Sequence, residues 1–281
     1  VRQIFQLIPA YLLLLLGSLA WGKLWGATGQ FHRDGPVGMA LVSAANGLLP
    51  GTEQWIGWLI QREEGWHTYW EYPGNVGLTP DLEWSLPAGF SAGDLQFPFP
   101  KRVRMAGVKA YGHHGETLYL LRLKVPQLEA GEEVQLVAQA RWMACSNVCL
   151  PSYAQLRLSL PVVSKLQPDK NWQPRFAEFL KNRPLKLPGE WNAKAVELGQ
   201  FTKLTLGHPF SLSGRELYFF GADRLVCSDV DPLCRTTQFG TELLLPKPPW
   251  PEENPTTLSG LLQVRDEDGA ALHYTLRLPL D

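Results

Sequence analysis

The tightest constraint on this chain lies on either side of one short segment, "RWMACSNVCLP" (141–151). Before it, "EVQLVAQARWM" (133–143) alternates apolar and polar residues, and after it "AQLRLSLPV" (154–162) does the same. Alternation with period two is the mark of a half-buried strand in an antiparallel sheet. Further strand candidates stand at "VGMALVSA" (37–44), "QWIGWLIQ" (54–61) and "LYLLRLKVP" (118–126). Between 63 and 90, glycines and prolines break any helical pattern. Turn clusters recur at sandwich-like spacing, and the 23 prolines fit a β-rich chain with many turns.

One stretch differs. In "QPDKNWQPRFAEFLKNRPLKLPGEW" (167–191), Trp172, Phe176, Phe179 and Leu180 follow helical spacing, and Pro184 stops the pattern. A short helix inside a linker is expected. Strands resume at 193–199, 201–207, 215–221, 241–247, 257–266 and 271–280. The expected organisation is therefore all-β. A sandwich spans 28–164, a linker with a short helix spans 165–190, and a second, smaller sandwich-like domain spans 191–281. The length of 281 residues agrees with two domains.

Residues 1–27 form the remaining segment. Arg2 gives a positive start, and Leu7 to Trp21 has the length of a signal-peptide core. Small residues at Ala20 and Gly26-Ala27 suit cleavage, while Trp21, Lys23 and Trp25 suit an uncleaved interfacial anchor. Either reading exports the chain, and a periplasmic location is expected. The net charge of −1 offers no broad basic field for nucleic acid. Membrane contact is expected only through the N-terminus. No Ser-His-Asp order, HExxH motif, phosphate loop or dinucleotide fingerprint is present.

Export decides how the 4 cysteines are read. Outside the reducing cytosol, two close pairs read first as disulfides. Along one strand, residues four apart lie about 13 Å from each other, and a disulfide needs Cα atoms within about 7 Å. Cys145 and Cys149 therefore flank a tight turn, with Ser146, Asn147 and Val148 at its tip. Residues facing across a hairpin end lie about 4.5–5.5 Å apart, which suits a bond. Closing so small a loop restricts the unfolded chain little, so the bond is a poor staple. Exposed or strained disulfides are the exchangeable ones. A redox pair, a structural bridge and a metal clip all remain open on spacing alone; Met143, Met105, His113 and His114 are the residues a copper(I) site would recruit. Cys227 and Cys234, in "VCSDVDPLC", flank a turn marked by Asp and Pro, and a local structural disulfide is expected there. His113-His114 is expected in a solvated turn, and Trp142 in the core.

The segments "GWHTYWEYPGNVGLTPDLEWSLPAGF", "YGHHGETLYLLRLKVP" and "ARWMACSNVCLPSYAQLRLSLPV" occur in this order. Together they resemble the N-terminal domain of the DsbD family, most of all its ScsB-like branch, across about residues 36–163. A weaker likeness around "LYFFGADRLV" (217–226) extends to the second extracytoplasmic domain of ScsB-like proteins. The resemblance implies an immunoglobulin-like fold and thiol–disulfide exchange, with Cys145 and Cys149 as the exchanging pair and Cys149 as the attacking sulfur. It implies a thioredoxin-like or membrane thiol-transporting protein as electron donor and a periplasmic oxidoreductase as acceptor. No organic cofactor and no metal is required. Within "RVRMAGV" (102–108), Met105 is placed in a cap over the sulfurs; Tyr69, with Trp66 and His67, is carried over as the pocket wall. If the chain is complete at Asp281, a membrane domain and a thioredoxin-like domain are not expected within it, and its electrons are expected to come from a separate protein. The rival reading is an immunoglobulin-like module that docks a partner or handles copper, with structural disulfides.

Overall fold

The computed structural model describes residues 26–207, 212, 214–237, 240–249 and 255–280. The leader or anchor expected over 1–27 lies outside these residues except for its last two. Among the described residues, no helix is long and apolar enough to cross a membrane.

The first part of the chain forms β1 (His32–Asp34), β2 (Val37–Ser43), β3 (Glu53–Arg62), β4 (His67–Tyr69), β5 (Asp81–Ser85) and β6 (Ser91–Ala92). It continues with β7 (Lys101–Met105), β8 (Val108–His114), β9 (Glu116–Lys124), β10 (Glu133–Cys145) and β11 (Cys149–Pro161). Two sheets result. One has the order β1-β2-β3-β9-β6; the other has the order β11-β10-β4-β8-β7, with β5 also pairing with β10. Met39, Leu41, Ile56, Trp58, Leu136, Leu156 and Leu158 fill the space between them. In β10 and β11 the buried and wet positions alternate as the sequence pattern requires.

Helix α1 (Trp172–Lys181) explains why β2 is buried at every position. Trp172 and Phe176 pack on Ala40, Val42, Leu59 and Leu120, on the face of the first sheet that points away from the core. That sheet is covered on both sides, so its strands read as continuous apolar runs. Gly57 makes the docking possible: a Cβ there would lie 2.9 Å from Phe176 Cζ and 2.8 Å from Leu118 Cδ1. The helix starts where the Asp169 carboxylate accepts hydrogen bonds from the Asn171 and Trp172 N–H groups, both at 2.9 Å.

The second sandwich contains β12 (Leu185–Lys186), β13 (Lys194–Leu198), β14 (Phe201–Leu206) and β15 (Glu216–Gly221). Then follow β16 (Leu233–Thr237), β17 (Gly240–Pro246), β18 (Thr257–Arg265) and β19 (Ala271–Pro279). Its sheets have the orders β12-β19-β18-β15 and β13-β14-β17-β16. Leu204, Leu206, Phe219, Leu243, Leu245, Leu258 and Leu262 form its core. An aromatic joint connects the two sandwiches: Tyr111 lies 5.1 Å from Phe220 between ring centroids, and Phe99 lies 5.0 Å from Phe220.

Several short strands were not expected from the sequence, and β8 carries a correction. His113 does not occupy a solvated turn. It pairs with Thr68 within the sheet, is 3% exposed and packs edge-on against Tyr119. "YGHHGE" holds one turn glycine, Gly115, and β8 runs up to it.

A candidate redox site at a hairpin end

The two long strands β10 and β11 run in register up to the cysteines, where Cys145 and Cys149 are the last facing pair. The Ser146 N–H donates to Val148 O at 2.9 Å and closes the turn. The Cα atoms of Cys145 and Cys149 are 4.2 Å apart, and the sulfurs are bonded. This is the spacing of a close pair across an antiparallel ladder, so the hairpin itself brings the sulfurs together.

The two sulfurs have different surroundings. Cys145 is fully buried and Cys149 only half-buried. Val148 and Leu150, beside Cys149, are apolar and exposed. Around Cys145 pack Tyr69, Val103 and Ala110, with Val76, Met105 and Met143 at the margin. The Tyr69 hydroxyl donates to Cys145 Sγ at 3.1 Å. Burial raises the pKa of that phenol, so it stays protonated and keeps its role as donor. Gly77 permits this position, because a Cβ there would lie 2.2 Å from the Tyr69 ring.

Strand β4 delivers the rest of the wall. His67 faces Cys145 directly across the ladder. Its ring meets Tyr69 edge-on at 5.3 Å and His114 at 5.6 Å. Burial first, then the charges of His114 and Arg62, hold His67 at about 4, so it is a neutral imidazole near pH 7. Its Nε2 is buried and has no hydrogen-bond partner among the described residues. Trp66 packs against the sandwich core and, with Glu64, Arg104, Ala106, Ser146 and Asn147, lines a cleft of about 430 Å³ at the hairpin tip.

The segment 102–108 is the end of a second hairpin. Met105 pairs with Val108, and Ala106 and Gly107 turn between them with φ of 47° and 93°. Two left-handed residues in a two-residue loop make a type I′ turn. This turn faces the cysteine turn across the cleft, and Met105 packs beside Cys145 and Cys149. Of the residues a copper(I) site would recruit, Met105 and Met143 are therefore at the sulfurs. His113 is in the core, on the neighbouring register position to the His114–His67 pair. Among the described residues, no group of three or more His, Cys, Asp or Glu side chains could hold a metal ion. Trp142 is in the core, as expected.

The bond expected between Cys227 and Cys234 is not formed; both are free thiols, Cys227 buried and Cys234 exposed. Cys227 N–H donates to Pro246 O, at the end of β17, while Cys234 pairs with Leu243. Three residues of strand separate those partners, about 10 Å, which exceeds the reach of a disulfide. Cys227 instead belongs to the joint. Asn75 Nδ2 donates to its sulfur at 3.2 Å, and Ser228 Oγ donates to Lys109 O at 2.9 Å. Asp229 accepts from the Lys109 N–H at 2.8 Å, and Asp231 pairs with Lys109 Nζ at 2.6 Å. The loop 227–231 thus grips both the 73–77 loop over Tyr69 and the strand that follows the Met105 turn. Nothing local in the sequence marks these contacts, because they join residues more than a hundred positions apart.

A hairpin-end disulfide with one sulfur buried and the other half-open thus stands on an all-β sandwich. Residues 40–161 match the family model for the N-terminal domain of the thiol:disulfide interchange protein DsbD. The matched span lies within the first sandwich, from β2 to the end of β11. Among solved structures, the chain is similar to the N-terminal periplasmic domain of ScsB from Proteus mirabilis, with 16% identity and a TM-score of 0.68. That match covers 90% of this chain and 98% of the other, so it takes in both sandwiches and shows a shared fold. The CupB2 chaperone of Pseudomonas aeruginosa matches with 9% identity and a TM-score of 0.24, over 85% of this chain and 100% of that one. Nothing is drawn from so low a score. No curated protein matches the sequence.

Proposed function

We propose that the protein is an extracytoplasmic thiol–disulfide exchange protein, located in the periplasm, that relays electrons between a thioredoxin-like or membrane thiol-transporting donor and periplasmic oxidoreductases. The observation that carries this reading is the asymmetry of the pair: Cys149 is half-open beside exposed Val148, and Cys145 is enclosed with the Tyr69 hydroxyl on its sulfur.

The chemistry follows from that asymmetry. A donor thiolate attacks the accessible sulfur of Cys149. A mixed disulfide forms, the Cys145–Cys149 bond breaks, and Cys145 leaves as a thiolate that receives the Tyr69 hydrogen bond. The donor's second thiol then attacks the mixed disulfide. Its own disulfide forms, and two electrons and two protons have moved to the Cys145–Cys149 pair. Passing them on reverses the steps, with Cys149 attacking the acceptor's disulfide and Cys145 resolving. The type I′ turn with Met105 shields the sulfurs between encounters, and Trp66 and His67 complete the wall.

The test is equilibration of the native protein with glutathione buffers of graded potential. The pair should become reduced well above the roughly −300 mV typical of structural disulfides. A pair that stays oxidised under strongly reducing native conditions removes the relay.

A further inference from the structure

Arg62 is a buried cation with no carboxylate. It stands at the end of β3, is 7% exposed, and lies in the space between the two sheets. Its Nε and Nη2 both donate to Thr68 Oγ1, at 2.9 and 2.7 Å. Nη1 donates to Thr117 Oγ1 at 2.9 Å and to Gly115 O at 3.1 Å, and Nη2 also reaches the Tyr119 hydroxyl at 3.0 Å. Every acceptor is neutral, and no described carboxylate lies within ion-pair distance. Burying a charge is costly unless it is paired. A guanidinium stays protonated in a protein, so the cost is not escaped by losing the proton. A site that keeps such a group holds an uncompensated positive potential.

The position of that potential is specific. Thr68, its doubly bonded anchor, lies between His67 and Tyr69 on β4 and pairs with Ala144, next to Cys145. Side chains alternate across a strand, so Arg62 lies under the sheet and the sulfur lies over it, a separation on the order of 10 Å. The other groups facing Cys145 are the Tyr69 phenol and the His67 imidazole, with Val103, Ala110, Met105 and Met143 apolar around them. The field of Arg62 is already felt on both faces of the sheet, since it adds to the burial that keeps His67 and His113 neutral. The group that becomes negative here is the sulfur, when the disulfide opens.

We propose that Arg62 is an electrostatic positioning residue of the redox site: anchored through Thr68, it holds β4 against the cysteine hairpin and stabilises the thiolate that Cys145 becomes on reduction. The inference rests on the relay reading for its use in electron transfer, and its physical content is separate. The consequence is a Cys145 that leaves more readily and a disulfide that is easier to reduce, because a thiol of lower pKa is the better leaving group.

The experiment compares the whole protein with Arg62→Gln, Arg62→Lys and a triple variant, Arg62→Met/Thr68→Val/Thr117→Val. Gln retains hydrogen bonding without charge, Lys retains charge, and the triple variant replaces the charged cluster by apolar groups of similar shape. Two readouts are used: the thiol pKa of the reduced pair, from thiolate absorbance across pH, and the rate at which reduced glutathione opens the oxidised pair near pH 7. In that reaction two glutathione thiols become one glutathione disulfide as the protein disulfide becomes a dithiol. The expected result is a higher thiol pKa and a rate roughly three- to tenfold lower in Arg62→Gln, from a Coulomb interaction of this range. Arg62→Lys should restore most of both. If Arg62→Gln does not fold, the triple variant should show the same shifts. Equal values in wild type and the charge-free variants overturn the inference, as does an equal shift in Gln and Lys, which would make Arg62 a purely geometric strut. A wild-type pair that glutathione cannot open at all sinks the relay reading instead, so the two failures are distinguishable.

Discussion

The chain holds two pairs of cysteines near turns, and only one of them is bonded. Cys145 and Cys149 end two strands whose register makes them face each other at 4.2 Å between Cα atoms. Cys227 lies before its turn, bound to the end of β17, and Cys234 enters β16 opposite Leu243. The spacing in sequence differs by a few residues, but the decisive difference is the strand ladder. A bond forms where register aligns two Cβ atoms, and nearness to a turn is not enough. The two pairs also differ in their surroundings. Cys145 has a hydroxyl donor and an enclosed pocket, while Cys227 has an Asn75 amide and a place in the joint.

The largest expected effect separates the pairs outright. Cys145→Ser or Cys149→Ser should abolish exchange with a dithiol donor, while costing only about 2 kcal/mol in unfolding free energy, because the closed loop is so short. Cys227→Ser with Cys234→Ser should leave exchange intact. The comparison collapses if the second double variant is inactive and the first variants are active.

Alkylation of the oxidised native protein should be the next clearest contrast. Cys234 is exposed and should react, although desolvation pushes its thiol pKa up and slows it. Cys227 is 6% exposed and should react only once the protein unfolds. Mass spectrometry should therefore find one label before denaturation and two after it. A native protein that takes none would indicate that Cys227 and Cys234 are bonded in solution.

Tyr69→Phe should sharpen the account of the first pair. It removes the donor on Cys145 Sγ and leaves the ring. The loss of one hydrogen bond of about 1 kcal/mol corresponds to reduction by glutathione slowed roughly fivefold, with the fold retained. Unchanged kinetics would remove Tyr69 from the site.

The smallest effect concerns pH. His67 has a folded pKa of about 4, below its unfolded value of about 6.5. Between those values the unfolded chain binds the proton and the folded protein does not. The contribution of neutral His67 is therefore full above about pH 6.5 and is lost as pH falls towards 4. His113 and His273 are shifted in the same direction, so His67→Gln should reduce only part of the acid loss. Urea midpoints at pH 7 and 4.5 measure it; an equal drop in both proteins would mean that His67 is charged in the fold.

Much of the architecture was legible because it is periodic. The alternation in 133–143 and 154–162, the longer strands of both sandwiches and the helix at Trp172 follow from local spacing and turn chemistry, and the structure has them within a few residues. β1, β4 to β8, β12 and β16 were not legible. They are short, or they contain residues such as "YGHH" that look like a turn until a neighbouring strand pairs with them. The second cysteine pair was misread for a related reason: Asp and Pro announce a turn, but not which residues end up opposite each other across it.

The sequence alone determined the hairpin, since two alternating strands that converge on a three-residue turn leave Cys145 and Cys149 facing; that the sulfurs are bonded is read from the structure. It also determined the sandwich, because a half-apolar sheet must be covered. Only the tertiary structure decided what surrounds the sulfurs. Tyr69 reaches Cys145 across 76 positions, Arg62 lies beneath them through Thr68, and the 227–231 loop grips the strand beside the cap. Such contacts are set by which strands pair and which sheets stack, and those long-range choices depend on the energy of the whole packed core. No local spacing encodes them.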